Sequence, residues 1–492
     1  MASIIRIGRQ RQLFLDDFII ASADGVIRRV CPVDKDPANP VIRPTERWEP
    51  EGYITYGSVI YDAGEGVYKA WCQGIGGSID AITKLAGGGV YHFVSDDGIA
   101  WRKRLSDAVP VDGHSSHVVS LWSPGWPVDE KPPYYEVFGA FKDDRESDPA
   151  RRYKLGFLYL QRDYYGPGEH PRHKGQLRGL GVAFSPDGIH WEALEKPVTL
   201  ATSDGATHWF RDPAAGHFVM YGRGRHIAPE FEAKYVDDPC FKHHGGRAVR
   251  RAESPDFLRW EPADGQIVLA ADTEDGPADD IYGMSVFPYQ GVYIGLVQMF
   301  HNYPERAWLD IQLAVSRDSI NFARLSDRAP FIPVGGVGVW DRFNNSLANN
   351  PPLQVGDELR FYYGGRNYTH GGAYKGPDNG REAGLSFRAG VGVGAVKLDR
   401  FCAMEATFAT GALRTKQLLL EGRRLHLNVE APFGRVTVTL LGPDGVEIAS
   451  AMVQETDGID LPLDLPLSGI AGKPVIIEFR ITNARLYAFW VS

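Results

Sequence analysis

A seven-residue phrase recurs along this chain, and repetition of this kind restricts the fold more than any other property of the sequence. SDDGIAW stands at Ser95–Trp101 and SPDGIHW at Ser185–Trp191. Worn copies read SPDFLRW at Ser254–Trp260 and SRDSINF at Ser316–Phe322. Self-similarity at intervals of tens of residues marks an array of equivalent units. Each phrase follows an alternating run, as at Gly89–Val94 and Leu180–Phe184. Period-two alternation ending in Asp-Gly reads as a strand entering a tight hairpin, with Gly supplying a positive φ and Asp bonding nearby amides.

A second repeat precedes the first. Turn-rich segments at Tyr61–Tyr68, Phe141–Tyr153, Phe210–Phe218, Pro288–Tyr293 and Val355–Leu359 each lead into a new apolar run. Four are followed by the seven-residue phrase, and the fifth by Gly390–Lys397 and a degenerate turn at Leu398–Phe401. Five four-stranded units predict an all-β chain whose residues 1–402 form a five-bladed β-propeller. From residue 403 the pattern changes to short alternating strands at Arg424–Val429, Val436–Leu440 and Val475–Phe479. Residues 403–492 are therefore read as a small β-sandwich, with Leu486–Trp490 as a paired strand. Leu13–Ile20 reads as a strand that precedes the first blade and closes the ring. The 56 Gly and 33 Pro suit such a turn-rich architecture.

Composition excludes several partners. A net charge of −9 argues against a surface that tracks phosphates, so nucleic acid is not an expected partner. Cys31, Cys72, Cys240 and Cys402 are scattered, with neither a disulfide framework nor zinc-ligand spacing. No apolar stretch is long enough to span a bilayer, and the N-terminus lacks a signal-peptide core, so a cytoplasmic location is expected. No cofactor is called for, and a structural cation such as calcium in the channel stays open. The oligomeric state is not indicated.

In a propeller the seven-residue turns lie on one face. The starts of the first strands and the loops between second and third strands lie on the other, the mouth. Those loops are long, at roughly 74–88, 161–178, 222–247, 300–310 and 364–385, and long irregular loops in compact domains are usually functional or disordered. Four first-strand starts carry an acid: Glu51 beside Glu49, Asp204, Asp280 beside Asp279, and Asp341. The second blade offers only Gly113–His117. Glycosidic cleavage needs one carboxyl group to protonate the leaving oxygen and a second to attack the anomeric carbon or activate water. Asp280 and Asp341 are the expected acid and base or nucleophile, with Glu51 and Asp204 positioning substrate or tuning proton affinity. Arg223, Arg225, His208, Tyr282, His301, Arg366 and His370 are the expected carbohydrate-binding residues. Asp212, in Arg-Asp-Pro, is set aside because the repeat aligns it with Asp62, in a hairpin on the opposite face.

The turn phrase resembles the Asp-box of sialidase-type propellers. RQLFLDDFII at Arg11–Ile20, NPVIRP at Asn39–Pro44, DDIYGMSVFPYQGVYIGL at Asp279–Leu296, GDELRFYYGG at Gly356–Gly365 and ARLYAFWV at Ala484–Val491 resemble bacterial proteins described as glycoside hydrolase family 32-like. The resemblance spans nearly the whole chain and implies a propeller followed by a sandwich. It does not extend to the catalytic motifs of true family 32 enzymes. The strand that carries their nucleophile reads Ile54-Thr55-Tyr56-Gly57-Ser58-Val59 here, without a carboxylate, and the Glu-Cys acid/base motif is missing. The expected function is a glycoside hydrolase acting on an oligosaccharide or glycoside. Its rivals are a glycoside phosphorylase, a polysaccharide lyase and a glycan-binding protein without turnover.

Overall fold

The structure, a computed structural model, describes residues 4–492 except 47, 76–88, 127–132, 170–173, 201–205, 305, 326 and 371–386, and except the side chains of Thr55, Tyr56, Tyr134, Tyr135 and Arg306. Among the described residues the chain is all-β apart from short helical turns, the longest a seven-residue helix at Pro229–Tyr235.

Five antiparallel meanders follow one another. The first comprises Gly52–Asp62, Val67–Ile75, Val90–Ser95 and Trp101–Lys103. The second comprises Tyr134–Lys142, Tyr153–Arg162, Gln176–Ser185 and His190–Ala193. The third is His208–Arg211, Phe218–Arg225, Arg247–Ser254 and Glu261–Leu269, and the fourth is Asp279–Tyr289, Val292–Tyr303, Arg306–Ser316 and Ala323–Arg324. The fifth has three consecutive strands, Asn344–Leu347, Glu358–Arg366 and Ala389–Lys397. Its fourth strand comes from the other end of the chain: Asp34–Lys35 pairs with Gly394 and Ala395.

The four repeated turns share one hydrogen-bond set. In the first, Gly98 N donates to Ser95 Oγ, Ile99 N and Ala100 N donate to Asp97 Oδ1, and Trp101 Nε1 donates back to Gly98 O. The two amides bonded by an Asp carboxylate recur at Asp187, Asp256 and Asp318. The residue three after the Ser is left-handed in every copy: Gly98, Gly188, Phe257 and Ser319, with φ of 77°, 79°, 69° and 64°.

These turns also join neighbouring meanders. The carbonyl of the left-handed residue accepts a bond from an aromatic side chain on the preceding meander. Trp71 Nε1 donates to Gly188 O at 2.7 Å, Tyr221 OH to Ser319 O at 2.8 Å, and Tyr362 OH to Gly98 O at 2.9 Å. The last of these ties the fifth meander to the first. On the second meander the corresponding position is Gly156, which supplies no donor. The Trp209 ring takes up that space, 2.4 Å from where a Gly156 Cβ would lie, and the Phe257 ring packs on Trp209, Phe141 and Phe218. A bulky residue at positive φ is uncommon, and here the buried ring offsets the backbone strain.

At the centre, the inner strands converge on Asn349. Its N–H donates to Gly57 O at 2.8 Å, its carbonyl accepts from Ser58 Oγ at 3.0 Å, and its side-chain Oδ1 accepts from Trp209 N at 2.9 Å. Ser58 Oγ in turn accepts from Ala140 N at 3.0 Å. Strands of four meanders are thereby linked through two side chains. The approach is tight enough that a Cβ on Gly139 would lie 2.6 Å from that of Asn349.

Several sequence expectations change. Leu13–Ile20 is not the closing strand, because only its two ends are paired, Leu13 with Ala488 and Ile20 with Thr415. The N-terminal segment that pairs with the fifth meander is Asp34–Lys35 instead. The strands Ile5–Ile7, Gln12–Leu13, Ile20–Asp24 and Ile27–Val30 all join the sheet built by the C-terminal residues. Arg424–Val429 and Val436–Leu440 are parts of one long strand, Leu425–Leu441, whose pairing shifts register between Ala431 and Arg435. Leu486–Trp490 lies in a paired strand, Ala484–Val491, as expected. The ring and this sheet are joined through buried Asp399, which accepts from Tyr289 OH at 2.8 Å, from Arg11 and from Asn428.

Removing one buried acceptor from the central junction leaves the Trp209 amide without a partner, at a cost of about 1–3 kcal/mol. Asn349→Ala is expected to lower the unfolding free energy by that amount, read in equilibrium urea unfolding as a lower midpoint with an unchanged m-value.

Candidate functional site

The mouth end of the meanders is fixed by register. Gly52 pairs with Ile75, Arg225 with Arg247, Asp279 with His301, and Asn344 with Arg366, which pairs with Ala389. First-strand starts and the connections between second and third strands therefore lie together. Parts of four of those connections lie outside the described residues, and so does Asp204. The connection expected at 300–310 is not a loop: both strands run on to a tight hairpin in which Tyr303 pairs with Arg306. The connection of the third meander folds into the Pro229–Tyr235 helix and a helical turn at Phe241–His243.

Asp280 is fully buried beside this third connection. Its carboxylate accepts from Gly245 N, Arg247 N and Arg247 Nη1, each at 2.8 Å, and His244 Nδ1 lies 3.4 Å away. Both oxygens are thus committed to holding residues 244–247. The next residues build a cation–aromatic cluster. The Arg223 guanidinium lies 4.2 Å from the Tyr282 ring and its Nε donates to Tyr282 O, while Arg247 lies 5.2 Å from the Phe300 ring. Tyr282 OH and His370 Nε2 are 3.0 Å apart, and Arg225 donates to Gly245 O. Asp280, Arg223, Arg225, Tyr282 and His370 are therefore brought together as expected of one site, joined by Arg247 and Phe300.

The other expected residues sit apart from this cluster. Asp341 is fully buried and its Oδ2 accepts from Lys35 Nζ at 2.6 Å and from Tyr363 OH at 2.9 Å. It anchors the closing strand Asp34–Lys35. Glu51 is exposed and pairs with Arg388 at 3.0 Å. Arg388 lies 4.4 Å from the Tyr368 ring, and Arg366 lies 5.9 Å from the same ring. His208 is buried, neither ring nitrogen has a hydrogen-bond partner, and burial lowers its pKa to about 3, so the ring is neutral. Glu49 is buried too. Burial raises its pKa, but bonds from His117, Tyr53 and the amides of Thr45 and Glu46 outweigh this and hold it well below the usual carboxylate range.

His301 lies between two carboxylates, with Nδ1 2.8 Å from Asp279 and Nε2 3.1 Å from Asp310. Its ring stacks on Trp308 at 4.3 Å. Burial alone lowers a histidine pKa, yet the two carboxylates raise this one to about 9.

One acid escaped the sequence reading. The inner strand of the second meander is Tyr134–Lys142, not Gly113–His117, whose His114–Ser116 pairs with Ser106–Val111 in a separate hairpin. It carries a half-buried Glu136 near its mouth end. The signal was available: the hairpin at Phe141–Tyr153 was recognised, and counting back one strand length from it reaches Glu136. Among the described residues no three His, Cys, Asp or Glu side chains are grouped to hold a metal ion. No helix is long and apolar enough to cross a membrane.

Because the folded pKa of His301 is raised above the ordinary 6.5, its pairing adds stability that is fully present below about 6.5 and lost as pH rises through about 9. The stability difference between the wild type and His301→Gln is expected to shrink across that window in denaturant titrations at stepped pH. The His301 ring resonances are expected to titrate near 9 by NMR.

No protein-family model and no curated protein matches this chain. Solved structures with a distant likeness include one described as a glycoside hydrolase, 15% identical with a TM-score of 0.43, covering 77% of this chain and 92% of that one. A β-fructofuranosidase of glycoside hydrolase family 32 from Bombyx mori is 11% identical with a TM-score of 0.38, covering 92% and 95%. An N-acetylgalactosamine deacetylase from F. plautii, solved with blood group B trisaccharide, is 13% identical with a TM-score of 0.41, covering 77% and 97%.

Proposed function

We propose that this protein is a glycoside hydrolase, built as a five-bladed β-propeller followed by a β-sandwich, that cleaves an oligosaccharide or glycoside at the mouth. The five meanders act as blades, and the Tyr362–Gly98 bond together with strand Asp34–Lys35 supports a closed ring. The observation that carries the functional reading is the position of two carboxylates on the neighbouring first and second blades. Glu51 directly precedes one inner strand, and Glu136 lies near the start of the next. Glu51 is exposed, and Glu136 is half-buried with its Oε2 enclosed, so a bound glycoside meets Glu51 directly and Glu136 through its other oxygen. One protonates the leaving oxygen, and the other attacks the anomeric carbon or activates water. Asp280 and Asp341 have no exposed surface and are already bonded to cations, so their part is to position loop 244–247 and the closing strand. Arg223, Arg225, Arg366, Tyr282 and His370 supply donors and ring faces for sugar hydroxyls.

A second reading, glycan binding without turnover, is favoured by one observation: the two acids best placed by sequence, Asp280 and Asp341, are buried in ion pairs. A screen with aryl glycosides and oligosaccharides separates the two. Glu51→Gln and Glu136→Gln are each expected to lower kcat about 100-fold or more with little change in Tm. Asp280→Asn is expected to lower Tm and turnover together. Full turnover in both glutamine variants overturns the assignment, and bound oligosaccharide with no product establishes the second reading.

A further inference from the structure

The outer edge of the second meander carries a groove that no part of the proposed reaction uses. A short strand, Ser120–Trp122, adds in parallel to His190–Ala193. In that register Trp122 stands beside Glu192, and Glu192 stands beside Phe184 on the next strand. Residues in register across a sheet project from the same face, so these side chains form a row: ring, carboxylate, ring. The two rings are two strand spacings apart, about 10 Å. Trp122 is 50% exposed, an unusual position for the largest apolar side chain. The row opens into a cleft of about 540 Å³ walled by Leu194 and Leu258. Its cation is Arg151, which lies 4.2 Å from the Phe184 ring and whose buried Nε has no hydrogen-bond partner.

We propose that this groove is a second carbohydrate-binding site that holds an extended segment of a polysaccharide away from the mouth. The spacing of the rings is close to a disaccharide repeat of an extended glycan. The exposed Trp122 ring takes the apolar face of one sugar, the Arg151 guanidinium stacked on Phe184 lies against the next, and Glu192 accepts from hydroxyls between them. A self-association face has a different character. It needs a contiguous apolar patch, and here a charged carboxylate separates the rings. The site stands independently of hydrolysis at the mouth, because a non-catalytic glycan-binding protein would use it equally.

The test is affinity electrophoresis of the full chain in native gels containing laminarin, xylan, galactan, arabinan or inulin. At least one polysaccharide is expected to retard the wild type and the Glu51→Gln/Glu136→Gln double variant equally. Trp122→Ala is expected to weaken that association at least tenfold, and Trp122→Phe to restore part of it. Trp122 is half exposed, so Trp122→Ala is expected to keep the wild-type Tm and its turnover of a small soluble glycoside. Glu192→Gln, at an exposed position, provides a second variant and is expected to weaken binding severalfold. The proposal is overturned if no polysaccharide in the panel retards the wild type, or if Trp122→Ala and Glu192→Gln are retarded as strongly as the wild type. It is equally overturned if the Trp122→Ala change alters the mass in light scattering, which would make the groove a contact between copies. Loss of turnover in the glutamine variants, with retardation intact, bears only on the mouth.

Discussion

Asn349 and Ser58 are two small polar side chains at the point where the inner strands are too close for large ones. Inner strands of a closed array leave their N–H and C=O groups facing a narrow centre, where a neighbouring strand cannot pair with all of them. Each unpaired buried group carries a desolvation cost. Asn349 offers an amide, a carbonyl and a side-chain oxygen to three different partners, and one of these, Ser58 Oγ, also accepts from the Ala140 amide. The junction ties the inner strands of the first, second, third and fifth meanders to one another.

Around that centre the meanders are held together by a contact that the turn phrase creates. Its left-handed residue turns a carbonyl outward, and an aromatic donor on the preceding meander reaches it three times out of five. Where Gly156 supplies no donor, the Trp209 ring fills the gap and the next turn carries Phe257 in place of glycine, its ring packed on Trp209. The fourth meander offers Leu296 at the equivalent place, and the polar link to the fifth turn comes instead from Tyr289 to Asp399. One geometric requirement is thus met by three chemical solutions, which is why the repeat looks worn in sequence while the turns stay alike in structure.

The same demand for paired groups sorts the carboxylates at the mouth. Asp280 and Asp341 sit where closing the ring and ordering the 244–247 connection required a buried anion, and each acquired a cationic partner. His301 shows the reverse case, a cation kept by two anions. Glu51 is exposed although it pairs with Arg388, and Glu136 is half-buried. Burial, rather than charge pairing or position along a strand, sets Asp280 and Asp341 apart from them.

The repeat, the five hairpins and the all-β character were legible in the sequence, because strand alternation and Asp-Gly turns are local and leave a local trace. The start of the second inner strand was legible as well, once the count is taken from its hairpin, and it reveals Glu136. Other features had no local trace. The closing strand Asp34–Lys35 pairs across some 360 residues, and the N-terminal strands belong to the C-terminal sheet; both depend on which edges are left unpaired when the ring forms. The commitment of Asp280 to the amides of a loop more than thirty residues earlier, and of Asp341 to Lys35, is equally non-local. The sequence by itself determined the repeating unit and its turns, since these rest on hydrogen bonds between residues two or three apart. Tertiary structure alone decided which acids are buried, because burial and pairing are properties of the assembled array and of no single strand.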